Sequence, residues 1–77
     1  MIDIGNKYIH AEPIGDISKK QAYAIINKSS DSSLGSVQWY PQWRQYVFCP
    51  VDNTVFNDGC LESIIKFMEG FKPKPSV

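Results

Sequence analysis

Apolar and polar positions alternate early in the chain. From Lys7 to Pro13, Tyr8, His10 and Glu12 share one parity and Ile9 and Ala11 the other, the period of two expected of a strand with one buried face. Pro13 and Gly15 are read as its end. From Ile17 the spacing lengthens. Ser18 with Gln21 three residues on fits a capping box, Ile17 can staple to Ala22, and Ala22, Ile25 and Ile26 form a short apolar stripe. These features predict a first helix from about Ser18 to Asn27, with Tyr23 or Ala24 at its margin.

The polar run Ser29 to Gly35 reads as a surface loop, rich in side chains that bond their own backbone. Beyond it, Val37 to Phe48 is dense in aromatic and β-branched residues, the composition of strands. Pro41 presets the backbone for a turn over Tyr40-Pro41-Gln42-Trp43, which predicts a hairpin. A Pro-Gln pair lacks the glycine favoured in two-residue loops, so a longer loop is the alternative. Val51 to Asn53 suggests a second turn, and Thr54 to Phe56 a short strand. Asn57 is a good N-cap, Phe56 can staple to Leu61, Asp58 complements the helix dipole and Gly70 suits a C-cap. Leu61, Ile64, Ile65 and Met68 keep the spacing of a core-facing stripe, and Glu62 with Lys66 forms a surface pair. A second helix is therefore expected over Asn57 to Glu69.

The order β-α-β-β-(β)-α predicts an α+β domain, a three- or four-stranded antiparallel sheet with both helices packed on one face. The expected core is Ile9, Ile25, Ile26, Val37, Tyr46, Phe48, Val55, Leu61, Ile64, Ile65 and Met68. Residues 1–71 are read as one domain and 72–77, Lys-Pro-Lys-Pro-Ser-Val, as an extended tail.

Composition narrows the function classes. The 77 residues are 43% hydrophobic and 21% charged, ordinary for a globular domain. Eight Lys and Arg balance eight Asp and Glu, so no global field favours nucleic acid or anionic lipid. No apolar run approaches the roughly 20 residues that span a bilayer. The first residues lack the basic and apolar regions of a signal peptide, so a cytoplasmic protein is expected, monomeric or a small homo-oligomer. Cys49 and Cys60 are too few for a disulfide scaffold and read as small buried hydrophobes.

From Trp39 to Phe67 the chain resembles a family of small phage and prophage proteins with the pattern W-Y-x-x-W-R-Q-Y, F-x-P, T-V-F and C-L-x-x-I-x-x-F. The matching positions are Trp39, Tyr40, Trp43, Arg44, Gln45, Tyr46, Phe48, Pro50, Thr54, Val55, Phe56, Cys60, Leu61, Ile64 and Phe67. The family has no assigned biochemical role. The resemblance implies a mobile-element origin, and with it an accessory protein that binds a host or phage protein, such as an inhibitor of host defence.

Candidate chemistry is sparse. Cys60 in the first turn of a helix, with His10 as its base, would lack a third orienting group and an oxyanion hole, and a buried thiol is the commoner outcome, so no enzyme activity is expected. Neither a C-x-x-C pair nor a glycine-rich phosphate loop is present, so neither metal nor cofactor is expected. The hairpin remains. With Pro41 and Gln42 as its loop, Tyr40 would pair with Trp43 and Trp39 with Arg44. Val37, Trp39, Tyr46 and Phe48 would then share the face under the helices, with Arg44 at its edge. Gln38, Tyr40, Trp43 and Gln45 would share the other face and, with Arg44, form a candidate partner surface, since Tyr, Trp and Arg commonly anchor interfaces. Two alternatives stand beside it: Tyr40 and Trp43 complete the core or a cross-strand ladder, or the hairpin stacks bases of single-stranded nucleic acid, although Arg44 is the sole cation between Lys28 and Lys66.

Overall fold

The computed structural model describes residues 2–71; the tail expected over 72–77 lies outside them. Four strands, β1 (Ile9–Ile17), β2 (Lys20–Asn27), β3 (Ser33–Tyr40) and β4 (Gln45–Pro50), are followed by one helix, α1 (Asp58–Glu69). The strands pair antiparallel in chain order, a meander with β1 and β4 at its edges.

The expected first helix is therefore β2, and among the described residues only one helix covers the sheet. Between β1 and β2, Ile17 pairs with Lys20 across a two-residue turn in which Ser18 and Lys19 have φ of 55° and 67°. Two consecutive positive φ values are the demand of a tight hairpin turn, usually met by Asn-Gly. Here Ser-Lys meets it, and the same serine imitates a helix cap. Ala22 to Ile26 is apolar at every position, so either period fits, and pairing with β1 and β3 decides for the strand. Pro13 and Gly15 do not end β1. They flank a bulge that leaves Ile14 half-exposed, and the strand continues to Ile17. The strand expected over Thr54 to Phe56 is instead irregular chain leading into the helix.

The helix begins as its sequence predicts. Asn57 has extended backbone and its Oδ1 accepts from the Cys60 amide at 2.7 Å, one of the donors that the helix itself leaves unpaired. Lys66 reaches Glu62 at 3.4 Å. Gly70 closes the helix with right-handed backbone, its N–H donating to the Phe67 carbonyl, so no left-handed cap forms.

The core lies between α1 and one sheet face. Ile9, Ala11, Ile25, Val37, Cys60 and Ile64 are its buried centre, and Ile2, Ile4, Leu34 and a ring of aromatic side chains close its margin. Phe67 meets Tyr23 edge-on at 5.1 Å, and Phe71 stacks on Tyr23 and Tyr46 at 5.2 and 4.7 Å. The Tyr46 hydroxyl donates to the Gln21 carbonyl at 3.0 Å. Burial, then the nearby Tyr23 and Asp16, hold its phenol above the usual tyrosine range.

The core differs from expectation at four positions. Val55 is 90% exposed in the irregular chain before α1, and Leu61 and Ile65 are 44% and 53% exposed because the helix turns Cys60, Ile64 and Phe67 to the sheet. Ile26 pairs with His10 on the opposite sheet face and stands outside the cluster.

One glycine is required by contact. A Cβ at Gly35 would lie 2.7 Å from the Cys49 carbonyl oxygen and 2.7 Å from Cε1 of Phe48, whose ring lies over this residue. Gly35→Ala is therefore expected to cost about 1–3 kcal/mol in urea unfolding, because β3 and β4 must separate to admit the methyl group. The β1–β2 turn predicts the opposite effect. Replacing Ser18-Lys19 with Asn-Gly relieves two left-handed non-glycine residues and should raise stability by about 1 kcal/mol in the same measurement.

Candidate functional site

Among the described residues no helix lies over the side chains on the sheet face away from α1. His10, Ala22, Ala24, Ile26, Ser36, Gln38, Tyr40 and Val47 alternate with core residues and so point to this open side. Ala22 and Ala24 are buried there although they lie outside the core cluster, because short side chains on an inner strand are shadowed by longer neighbours on both sides. His10 is also buried, its Nδ1 3.5 Å from the Ala11 carbonyl and 4.0 Å from Glu12 Oε1.

The β3–β4 hairpin carries the aromatic part of this face. Tyr40 pairs with Gln45, Trp39 with Tyr46 and Val37 with Phe48. The loop is therefore Pro41 to Arg44, four residues rather than two, and the pairings expected for Tyr40 with Trp43 and Trp39 with Arg44 do not form. Amides of Trp43 and Arg44 donate to the carbonyls of Tyr40 and Pro41, and Arg44 takes positive φ to re-enter the strand. Adding two residues to the loop moves every pairing by two, and a shift of two preserves parity. Hence Val37, Trp39, Tyr46 and Phe48 share the helix side, and Gln38, Tyr40 and Gln45 the open side, as the shorter loop also required.

Trp43 reaches the open side from the loop. Its ring meets that of Tyr40 edge-on, with centroids 5.0 Å apart, and the residue is 65% exposed. Beneath the pair lies a shallow depression of about 230 Å³ lined by Tyr40, Trp43, Val47, Phe48 and Cys49. Gln38 accepts a hydrogen bond from the Ser36 hydroxyl at 3.0 Å, which leaves its amide nitrogen free to donate outward. Arg44, the last residue of the loop, and Gln45, the first of β4, are both exposed.

Cys49 is exposed at the edge of this depression, not buried as expected; it pairs with Ser36 on the open face, where no element covers it. Parity opposite to Tyr46 and Phe48 marks this face in the sequence, but the expectation of burial rested on the residue type alone. Cys60 is buried in the core. His10 and Cys60 lie on opposite sides of the sheet, so the structure does not bring these two groups together. Among the described residues no three His, Cys, Asp or Glu side chains gather in a way that could hold a metal ion. No helix among them is long and apolar enough to cross a membrane.

A stretch of 44 residues, 57% of this chain, is 30% identical to an uncharacterized 9.3 kDa protein of Acholeplasma phage L2. The aligned stretch covers 56% of that protein, so the chain spans little more than half the length of this curated relative. No family model matches the chain, and no solved structure matches it. The similarity is thus to a phage protein, and it carries no activity with it.

Proposed function

We propose that this chain is a small protein-binding module of phage type, which acts without catalysis by docking the open face of its β3–β4 hairpin onto a host or phage protein, as an inhibitor of host defence would. The observation that supports this most is the Tyr40–Trp43 pair, two rings set edge-on over an apolar depression, Trp43 exposed to water and Tyr40 half-buried beside it. Large aromatic side chains lose little conformational freedom on docking and bury much area, which is why they anchor interfaces. Gln38 and Gln45 flank the rings with amides able to satisfy a partner's polar groups. Base stacking uses similar rings, but the affinity of nucleic-acid binders comes largely from phosphate contacts, and from Ser33 to Pro50 Arg44 is the sole charged residue.

The test compares the chain with its Tyr40→Ala/Trp43→Ala variant. Both rings lie outside the core cluster, so the double substitution should lower unfolding stability by about 1–2 kcal/mol and leave the fold intact. Tagged wild-type chain should retain a discrete protein from host extract that the variant loses, with a blue shift of Trp43 fluorescence on binding. Collapse of the variant's fold would make the rings structural and sink the proposal. Retention on single-stranded DNA or RNA that falls steeply with added salt would transfer the site to nucleic acid. Native thiol labelling gives an independent check: Cys49 should react at once and Cys60 only after unfolding, and a bulky adduct on Cys49 should block capture.

A further inference from the structure

The two edges of the sheet are defended unequally. β1 carries Glu12, Pro13, Asp16 and a bulge, and Ile2 closes part of its rim with two backbone hydrogen bonds to Ala11 of 2.7 and 3.0 Å. Charges, proline, bulges and cover are the usual means of preventing strand addition. β4 has one such device, Pro50 at its last position, and no charged residue lies between Arg44 and Asp52.

The pairing pattern shows which backbone groups of β4 face outward. Val51 N–H donates to the Leu34 carbonyl at 3.0 Å, so Val51, Cys49, Val47 and Gln45 hydrogen-bond toward β3. Alternation turns the N–H and C=O of Tyr46 and Phe48 to the outer edge, where no strand among the described residues pairs with them. The helix is unfinished on the same side. Asn6 donates to Ser63 Oγ and the Gly59 carbonyl, which seats that flank of α1 against the N-terminal segment beside β1. Leu61 and Ile65 occupy the opposite flank, toward β4, the strand that α1 approaches most, and both are about half-exposed.

We infer that this chain forms a two-fold dimer in which β4 pairs antiparallel with β4 of a second copy, extending the sheet to eight strands. With the axis at Val47, Tyr46 exchanges hydrogen bonds with Phe48 of the other copy, and all four outward amides of the seam are satisfied. The axis stands normal to the sheet, so both helices remain on one face and the Leu61–Ile65 flanks meet across the seam. Charge is complementary in this arrangement and in no parallel one. Arg44 precedes β4 and Asp52 follows it, so antiparallel pairing sets the cationic end of each strand beside the anionic end of the other, within diagonal reach of a long side chain. A second copy is therefore the occupant that this edge fits. The inference is independent of what the open face binds.

Sedimentation equilibrium of the full chain should give twice the monomer mass, and hydrogen exchange should show the Tyr46 and Phe48 amides protected. Leu61→Lys/Ile65→Lys, at two exposed positions, should raise the dissociation constant by about 100-fold or more while circular dichroism stays unchanged. Arg44→Glu should weaken the dimer, and Arg44→Glu/Asp52→Arg should recover it, which serves if the lysine variant fails to fold. A chain that remains monomeric at about 1 mM would overturn the inference. So would a dimer indifferent to these substitutions, or one in which the Tyr46 and Phe48 amides exchange freely.

Discussion

One twelve-residue helix has to roof a four-stranded sheet, and it is too narrow to do so. Strands about 4.8 Å apart place the outer two roughly 14 Å from each other, whereas a helix with its side chains is about 10 Å across. Other parts of the chain have to complete the cover. Ile2 and Ile4 close the β1 side, and Phe56 and Phe71 fill the gaps at the two ends of α1, against Phe48 and against Tyr23 and Tyr46. Among the described residues nothing equivalent stands over the outer rim of β4. A chain this short has a thin margin of stability, so most of its large side chains are committed to one face and the other is left bare.

The helix side of the fold was legible where a residue has one physical use. Asn57 before an apolar run serves as a cap, and the alternation around Ile9 and Ala11 marks a half-buried strand; both stand as expected. Legibility failed where one residue has two uses. Ser18 can cap a helix or enter a tight turn, and it enters the turn at a cost in backbone strain that Asn-Gly would avoid. The run Ala22 to Ile26 has apolar residues for both faces of an inner strand, so it shows no period of two. The helix stripe was misplaced by one residue for a related reason. Spacing alone favours Leu61 and Ile65, but the rings of Tyr23 and Tyr46 on the sheet draw Phe67 and Phe71 toward them, and that rotation turns Cys60 inward and Leu61 outward.

The candidate surface was legible for a more general reason. Its composition depends on parity and not on register, and parity survived a loop two residues longer than the shortest one. Two places changed: Trp43 went from a strand partner of Tyr40 to a loop residue folded back on it, and Arg44 from a strand partner of Trp39 to the last residue of the loop. Loop placement leaves the indole far more exposed than a position in the strand ladder would. Cys49 follows the same parity, opposite to Tyr46 and Phe48, so it falls on the uncovered face; the expectation of burial came from residue type alone.

Neutrality constrains how such a surface can work. With a net charge of zero and a single charge on the hairpin, nothing steers a partner toward the rings from beyond a few ångströms, so association should proceed at the ordinary rate of orientation-limited docking. Affinity then has to come from slow dissociation, which means burying the Tyr40 and Trp43 rings completely. One shallow depression of about 230 Å³ offers little area for that. Extending the sheet through β4 changes the scale, since the open face becomes continuous across the seam and presents the pair twice. Two modest contacts held at a fixed spacing bind a repeated or two-fold partner more tightly than either alone, because the second contact forms within an already assembled complex. The undefended edge and the bare face are thus two consequences of the same shortage of cover, and pairing through one compensates for the small area of the other.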